Sequence, residues 1–240
     1  MDIKELKQIS KDNLDFVKNY YLENNKEFQP MIVIYAYKNN ERVKITAILG
    51  NSKAIERRFK VLADLGIDLG VRTFLKKEYE SVDAVFSLNE AWMSKNYTKE
   101  KIKEEDFVSG KILMPSEDPK HLEVLISAGL SSDNQAVADL KIIRKSWDGN
   151  KIVISFEGLD ENDKKEQKED EKIEVKSSLL ESFWETFNII KNYSEKVDEN
   201  EAIKKEIKSK TSEELVDTYI GIFDKFIKDD CGGELVEENY

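Results

Sequence analysis

The sequence predicts an α+β fold: a mostly antiparallel sheet with a packed helix, plus an N-terminal helix and a C-terminal helical layer. Three observations carry this expectation. Met31–Tyr37 (M-I-V-I-Y-A-Y) is apolar at every position, and Val43–Leu49 (V-K-I-T-A-I-L) answers it with alternation across a short polar turn. Four further segments, Val82–Leu88, Leu122–Ala128, Leu140–Arg144 and Lys151–Phe156, have the length and pattern of strands. Apolar residues recur at three- and four-residue steps before the first strand and after the last.

In chain order, residues 2–24 read as a helix whose apolar stripe runs through Ile3, Leu6, Ile9 or Ser10, Leu14, Val17 and Tyr21. Asn24-Asn25 and then Pro30 end it. A run that is apolar on both faces, such as Met31–Tyr37, is a strand covered on both sides. With Lys38–Glu41 as its turn, it forms a β-hairpin with the segment that follows. Asn51 or Ser52 caps a helix running to about Leu65, with Ile55, Phe59 and Leu62 facing the sheet. Gly66 and Gly70 read as a helix stop and a turn. Residues 94–112 are polar and aperiodic, a long surface insert between two strands. Trp147-Asp148-Gly149-Asn150 joins the last two strands, and Asp-Gly is a strong hairpin signal.

Residues 160–172 (D-E-N-D-K-K-E-Q-K-E-D-E-K) contain no apolar residue and read as a solvated linker or a hairpin tip. The domain organisation that follows is an α+β sheet domain over 1–159, this polar segment over 160–172, and a C-terminal helical region with an acidic tail over 173–240. Within the last, Leu179, Leu180, Phe183, Trp184, Phe187 and Ile190 mark one helix. Ala202, Ile203 and Ile207 mark a second. Leu215 through Ile227 marks a third, capped by Thr211 or Ser212 with Glu214 behind.

Composition narrows the chemistry. The 240 residues carry a formal charge of −11, and 36% of them are charged with both signs interspersed. A field of that sign opposes phosphate contacts and favours a basic partner, so direct nucleic-acid binding is not expected. Cys231 is the only cysteine, which excludes an intrachain disulfide and fits a reducing cytoplasm. The start M-D-I-K-E-L-K lacks the apolar region of a signal peptide, and Met31–Tyr37 is far shorter than the roughly 20 apolar residues of a membrane helix. The expected location is cytoplasmic, the host cytoplasm if the source is viral.

The stretch Val82–Leu130 concentrates the candidate chemistry. It holds His121, the only histidine, and two of the three prolines. Glu90 in E-A-W-M (Glu90–Met93) is a candidate base or oxygen ligand, and Trp92 a candidate stacking platform or a core residue at a strand end. Pro115–Pro119 (P-S-E-D-P) presents Glu117 and Asp118 either to a metal or basic partner, or to water in a proline-bounded turn. With Glu90 and Glu123 these carboxylates make a hard-cation site conceivable, with His121 as base. One His and one Cys far apart in sequence argue against structural zinc. No Walker loop, dinucleotide fingerprint or nucleophile elbow is present, so no cofactor is expected. Glu56–Lys60 (E-R-R-F-K) is the one basic cluster, a phosphate patch or a solvated helix face.

Asp83–Ser94 (D-A-V-F-S-L-N-E-A-W-M-S), then P-S-E-D-P, then a strand opening L-E-V-L at Leu122 resemble a pattern in uncharacterised prokaryotic and phage proteins. The resemblance covers about Met31–Phe156 and implies a small α+β domain. It brings no established activity and assigns no catalytic residue. The Asn96–Lys111 insert and everything beyond Ile173 depart from the pattern.

These readings converge on a non-enzymatic intracellular binding or regulatory protein, encoded by a virus or mobile element. It would meet a basic protein surface with acidic faces that include Trp92, Glu117 and Asp118, and an edge strand or the wide-faced C-terminal helices would support a homodimer. The alternative is a metal-assisted hydrolase or nuclease built on Glu90, Glu117, Asp118 and Glu123 with His121. The discriminating expectation is whether those carboxylates converge in one pocket.

Overall fold

The computed structural model describes residues 1–24, 28–49, 55–93, 121–148, 151–157, 178–197 and 200–231. Six strands, β1 (Met31–Lys38), β2 (Glu41–Ile48), β3 (Ser81–Met93), β4 (Leu122–Ser131), β5 (Ala136–Asp148) and β6 (Lys151–Glu157), form one antiparallel sheet in the order β2-β1-β3-β4-β5-β6. Five α-helices are described: α1 (Ile3–Asn24), α2 (Ile55–Gly70), α3 (Ser178–Val197), α4 (Glu201–Ser209) and α5 (Ser212–Cys231). This is the expected α+β class. The 94–112 insert, the 160–172 segment and the Gly149-Asn150 turn lie outside the described residues.

The chain divides into two compact units. One comprises residues 1–34, 45–51 and 84–177, and the other residues 35–44, 52–83 and 178–240.

In the first unit, α1 lies on β4 and β5. Its buried stripe is Leu6, Ser10, Leu14 and Val17, at helical spacing. The serine belongs in that apolar stripe because its hydroxyl donates to Ser127 Oγ at 3.0 Å on β4, so the buried polar group is satisfied. Lys141 on β5 reaches Asp15 of α1 at 2.5 Å. Ile32, Val33 and Ile34 are each fully buried although neighbours on a strand face opposite ways, as a doubly covered strand requires. β5 and β6 pair from Asp148 opposite Lys151 to Ile142 opposite Glu157. The strands outrun their apolar patterns, β5 above all, because their ladders continue through polar positions on a half-exposed face.

The second unit bears out one local expectation, the hairpin turn, and departs from another, the helix stop. Asn39 and Asn40 both take positive φ, 54° and 62°, the type I′ geometry that matches the twist of a two-residue hairpin. The helix expected to stop near Leu65 instead runs through Gly66 to Gly70, then widens into a π-helical turn, Val71–Leu75, closed by Lys76 N–H to Val71 C=O at 3.0 Å. Gly66 serves close packing, not termination. A Cβ there would stand 2.3 Å from the backbone oxygen of Phe183 on α3. Along the α2–α3 contact, Leu62 is fully buried and Phe183, Trp184 and Phe187 form an aromatic cluster, while Phe59 is only half-buried. Asn200 caps α4 by accepting from the N–H groups of Ala202 and Ile203. Thr211 caps α5 in a reciprocal box: Glu214 N–H donates to Thr211 Oγ1 at 3.2 Å, and Thr211 N–H to Glu214 Oε2 at 2.7 Å.

Candidate functional site

The two strands that flank the polar excursion are hydrogen-bonded neighbours. β3 and β4 pair antiparallel from Ala84 opposite Ser131 to Met93 opposite Leu122. In that register Glu90 stands opposite Leu125 and Trp92 opposite Glu123. Directly opposed residues share a face, and so do residues two apart on one strand. Glu90, Trp92 and Glu123 therefore belong to one face of the sheet. It is the face that α1 covers further along, since Ser127 of β4 shares it.

Glu90 is half-buried. Its Oε1 accepts from the N–H of Phe28, a buried residue beyond the end of α1, at 3.3 Å. Burial pushes the Glu90 carboxyl above its ordinary range. The Phe28 N–H and the Lys145 ammonium oppose that shift, and the Glu123 charge reinforces it. Glu123 has its own counter-ion, Lys145 of β5, whose Nζ lies 2.5 Å from Oε2. That oxygen makes no aligned hydrogen bond among the described residues. The contact is therefore a partly exposed ion pair, worth at most about 1 kcal/mol.

The strand pairing brings together Glu90, Glu123 and the backbone position of Trp92. His121 stands immediately ahead of β4. Glu117 and Asp118, with the whole of Pro115–Pro119, lie outside the described residues. Chemically, the described part has one carboxylate tied to a backbone N–H and one neutralised by a lysine. Of the basic cluster, Lys60 is engaged: its Nζ lies 2.7 Å from Asp224 and 3.3 Å from Asp64.

Two features of the helical unit escaped the sequence. Arg72, in the π-helical turn, holds three carboxylates: Asp68 at 2.8 Å, and Glu78 and Glu213 at 2.9 Å. Partial burial works against its charge, but the hydrogen bonds to Asp68, Glu213 and Glu78 outweigh it and raise the pKa. Ser212 and Glu78 are hydrogen-bonded beside it, and Lys76 donates to the carbonyls of Ile207 and Lys210, so α4, α5 and the turn are pinned together. Only the Asp68–Arg72 spacing, i to i+4, was a visible signal. The second feature is an apolar cavity of about 290 Å³ among α2, α3 and α5. Tyr219 lines it, with its ring 5.5 Å from that of Tyr193. Burial and the hydrogen bond with Tyr193 push the Tyr219 hydroxyl well up.

No protein-family model, curated protein or solved structure matches this chain. No described helix is long and apolar enough to cross a membrane.

Proposed function

We propose that the protein is a non-enzymatic binding or regulatory module that engages a basic protein surface through its acidic faces, including the excursion between Glu90 and Glu123. One observation carries the preference over a hydrolase. The two described carboxylates of the candidate cluster are each committed inside the fold, Glu90 to Phe28 N–H and Glu123 to Lys145. A hard-cation site needs carboxylate oxygens that are free to converge on the ion. The formal charge of −11 supplies the long-range attraction. Glu117 and Asp118 supply rim charge, and Trp92, two residues from Glu90, supplies the anchor.

Electrostatic attraction at a rim mainly accelerates encounter, and salt screens it over a Debye length of roughly 8 Å at physiological strength. The test measures association and dissociation rates against a panel of purified basic nucleic-acid-binding domains at two salt concentrations. Affinity should fall as salt rises. The double change Glu117→Lys with Asp118→Lys should slow association more than it speeds dissociation, and Trp92→Ala should do the reverse. Absence of salt-dependent binding, together with divalent-metal-dependent phosphoester hydrolysis that Glu117→Gln abolishes, would establish the hydrolase instead.

A further inference from the structure

Helix α5 contains a glycine that nothing among the described residues explains. Gly66 and Gly70 of α2 sit where α3 comes too close for a side chain: a Cβ would meet Phe183 O at 2.3 Å and Ile190 Cβ at 2.9 Å respectively. A Cβ on Gly221, in the middle of α5, would meet no atom within 4 Å outside its own helical backbone among the described residues. Such an exposed mid-helix glycine costs about 1 kcal/mol relative to alanine. Next to it Ile222 is 58% exposed, and on α3 Ile189 is 53% exposed. Both side chains line the apolar cavity, together with Ile67, Ile190, Tyr219 and Phe223. The exposed stripe of α5 through Gly221 holds Glu214, Asp217, Thr218 and Lys225.

We propose that this face joins two copies of the chain, with α5 crossing the α5 of a second copy antiparallel about a two-fold axis at Gly221. The charge pattern selects both the occupant and the direction. Asp217 and Lys225 lie four residues before and four residues after Gly221. An antiparallel two-fold crossing therefore sets Asp217 against Lys225 of the second copy, and does so twice. Position 214, a glutamate, falls opposite position 228, a lysine, by the same symmetry. A parallel crossing would instead oppose Asp217 to Asp217 and Lys225 to Lys225. Neither Asp217 nor Lys225 has an ion-pair partner among the described residues, so both charges are available.

The remaining features fit the same interface. A glycine at the crossing point lets the two helix backbones approach closely. The two-fold also places both Ile222 side chains and both cavity mouths on one side of the crossing, so exposed apolar surface meets its own copy. An interface of this kind is isologous and closes at two copies.

The test is sedimentation equilibrium of the full chain over a range of concentrations. A reversible monomer–dimer equilibrium is expected. Asp217→Lys alone, or Lys225→Asp alone, reverses two symmetric pairs and should raise the dissociation constant about tenfold. The double variant Asp217→Lys with Lys225→Asp should return it to near the wild-type value, which generic damage to the helix does not do. In a Cys231→Ser background, Gly221→Cys should give a disulfide-linked dimer on mild oxidation, because a Cα separation of roughly 4.4–6.8 Å suits a disulfide. A chain that stays monomeric up to its solubility limit overturns the proposal, whether or not the cavity then takes up an aliphatic probe or another protein. A dimer indifferent to both single reversals, or one that the double variant fails to rescue, overturns it equally.

Discussion

Replacing Gly66 by alanine sets helix propensity against tertiary packing, and the geometry decides between them. In an isolated helix the change would stabilise by about 1 kcal/mol. Here the new methyl would stand 2.2 Å from Thr186 Oγ1 and 2.3 Å from the carbonyl oxygen of Phe183. Thr186 is not free to turn away, because its hydroxyl donates to Ala63 C=O at 2.9 Å, and that bond is worth about 1 kcal/mol. The Phe183 carbonyl is part of the α3 backbone. Relief therefore requires α3 to retreat by about 1 Å along the contact that buries Leu62, Phe183 and Phe187, and overpacking of this kind costs about 1–3 kcal/mol. With the lost hydrogen bond added and the propensity gain subtracted, Gly66→Ala should destabilise by about 1–3 kcal/mol. Equilibrium urea unfolding of the full chain measures this as a lowered midpoint with an unchanged slope. A midpoint equal to or above the wild type would falsify the close-packing account. Gly221→Ala, measured where the chain is monomeric, is the control and should stabilise by about 0.5–1 kcal/mol, since its methyl meets nothing beyond its own helix among the described residues.

Three further outcomes are expected. Ile34→Ala and Leu62→Ala each empty a fully buried position and should cost about 2–5 kcal/mol in the same urea experiment; a loss of only a few tenths would remove them from the core. Glu90→Gln keeps an oxygen acceptor for Phe28 N–H but removes a charge whose folded pKa lies above its ordinary 4.5. In the window between those two values the native state binds the proton more tightly, so wild-type stability falls as pH rises. The variant should lack that fall and be more stable at neutral pH, and thermal melts across the window would expose the opposite result. Arg72→Gln leaves Asp68, Glu78 and Glu213 without their shared cation and should cost about 1–3 kcal/mol, towards the lower end because Glu213 is 71% exposed. High salt should narrow that difference, and a salt-independent loss would point to packing in its place.

The sequence by itself determined what short-range physics controls. The apolar run Met31–Tyr37 and its alternating answer specified a hairpin whose first strand is covered on both faces, while the second is the exposed edge of the sheet. Leu6, Leu14 and Val17 marked the buried side of α1. Asp148-Gly149 announced the β5–β6 hairpin, and Thr211 with Glu214 announced the α5 cap, because periodicity and capping involve residues within a few positions of one another. The tertiary structure decided whatever depends on partners distant along the chain. Gly66 looked like a stop, since a local reading weighs only its poor propensity, whereas α3 passes so close that nothing larger fits. Ser10 looked interchangeable with Ile9 as a stripe residue until Ser127, 117 positions away, supplied its hydrogen bond. Arg72 meets Glu213 across 141 positions, and no window of sequence contains both. In the candidate site, the pattern put Glu90 and Glu123 at the facing ends of two strands, and strand register placed them on one face. Only the fold showed that Phe28 and Lys145 already occupy them, because a charge is neutralised by whichever group packing brings within a few ångströms, and sequence separation has no part in that.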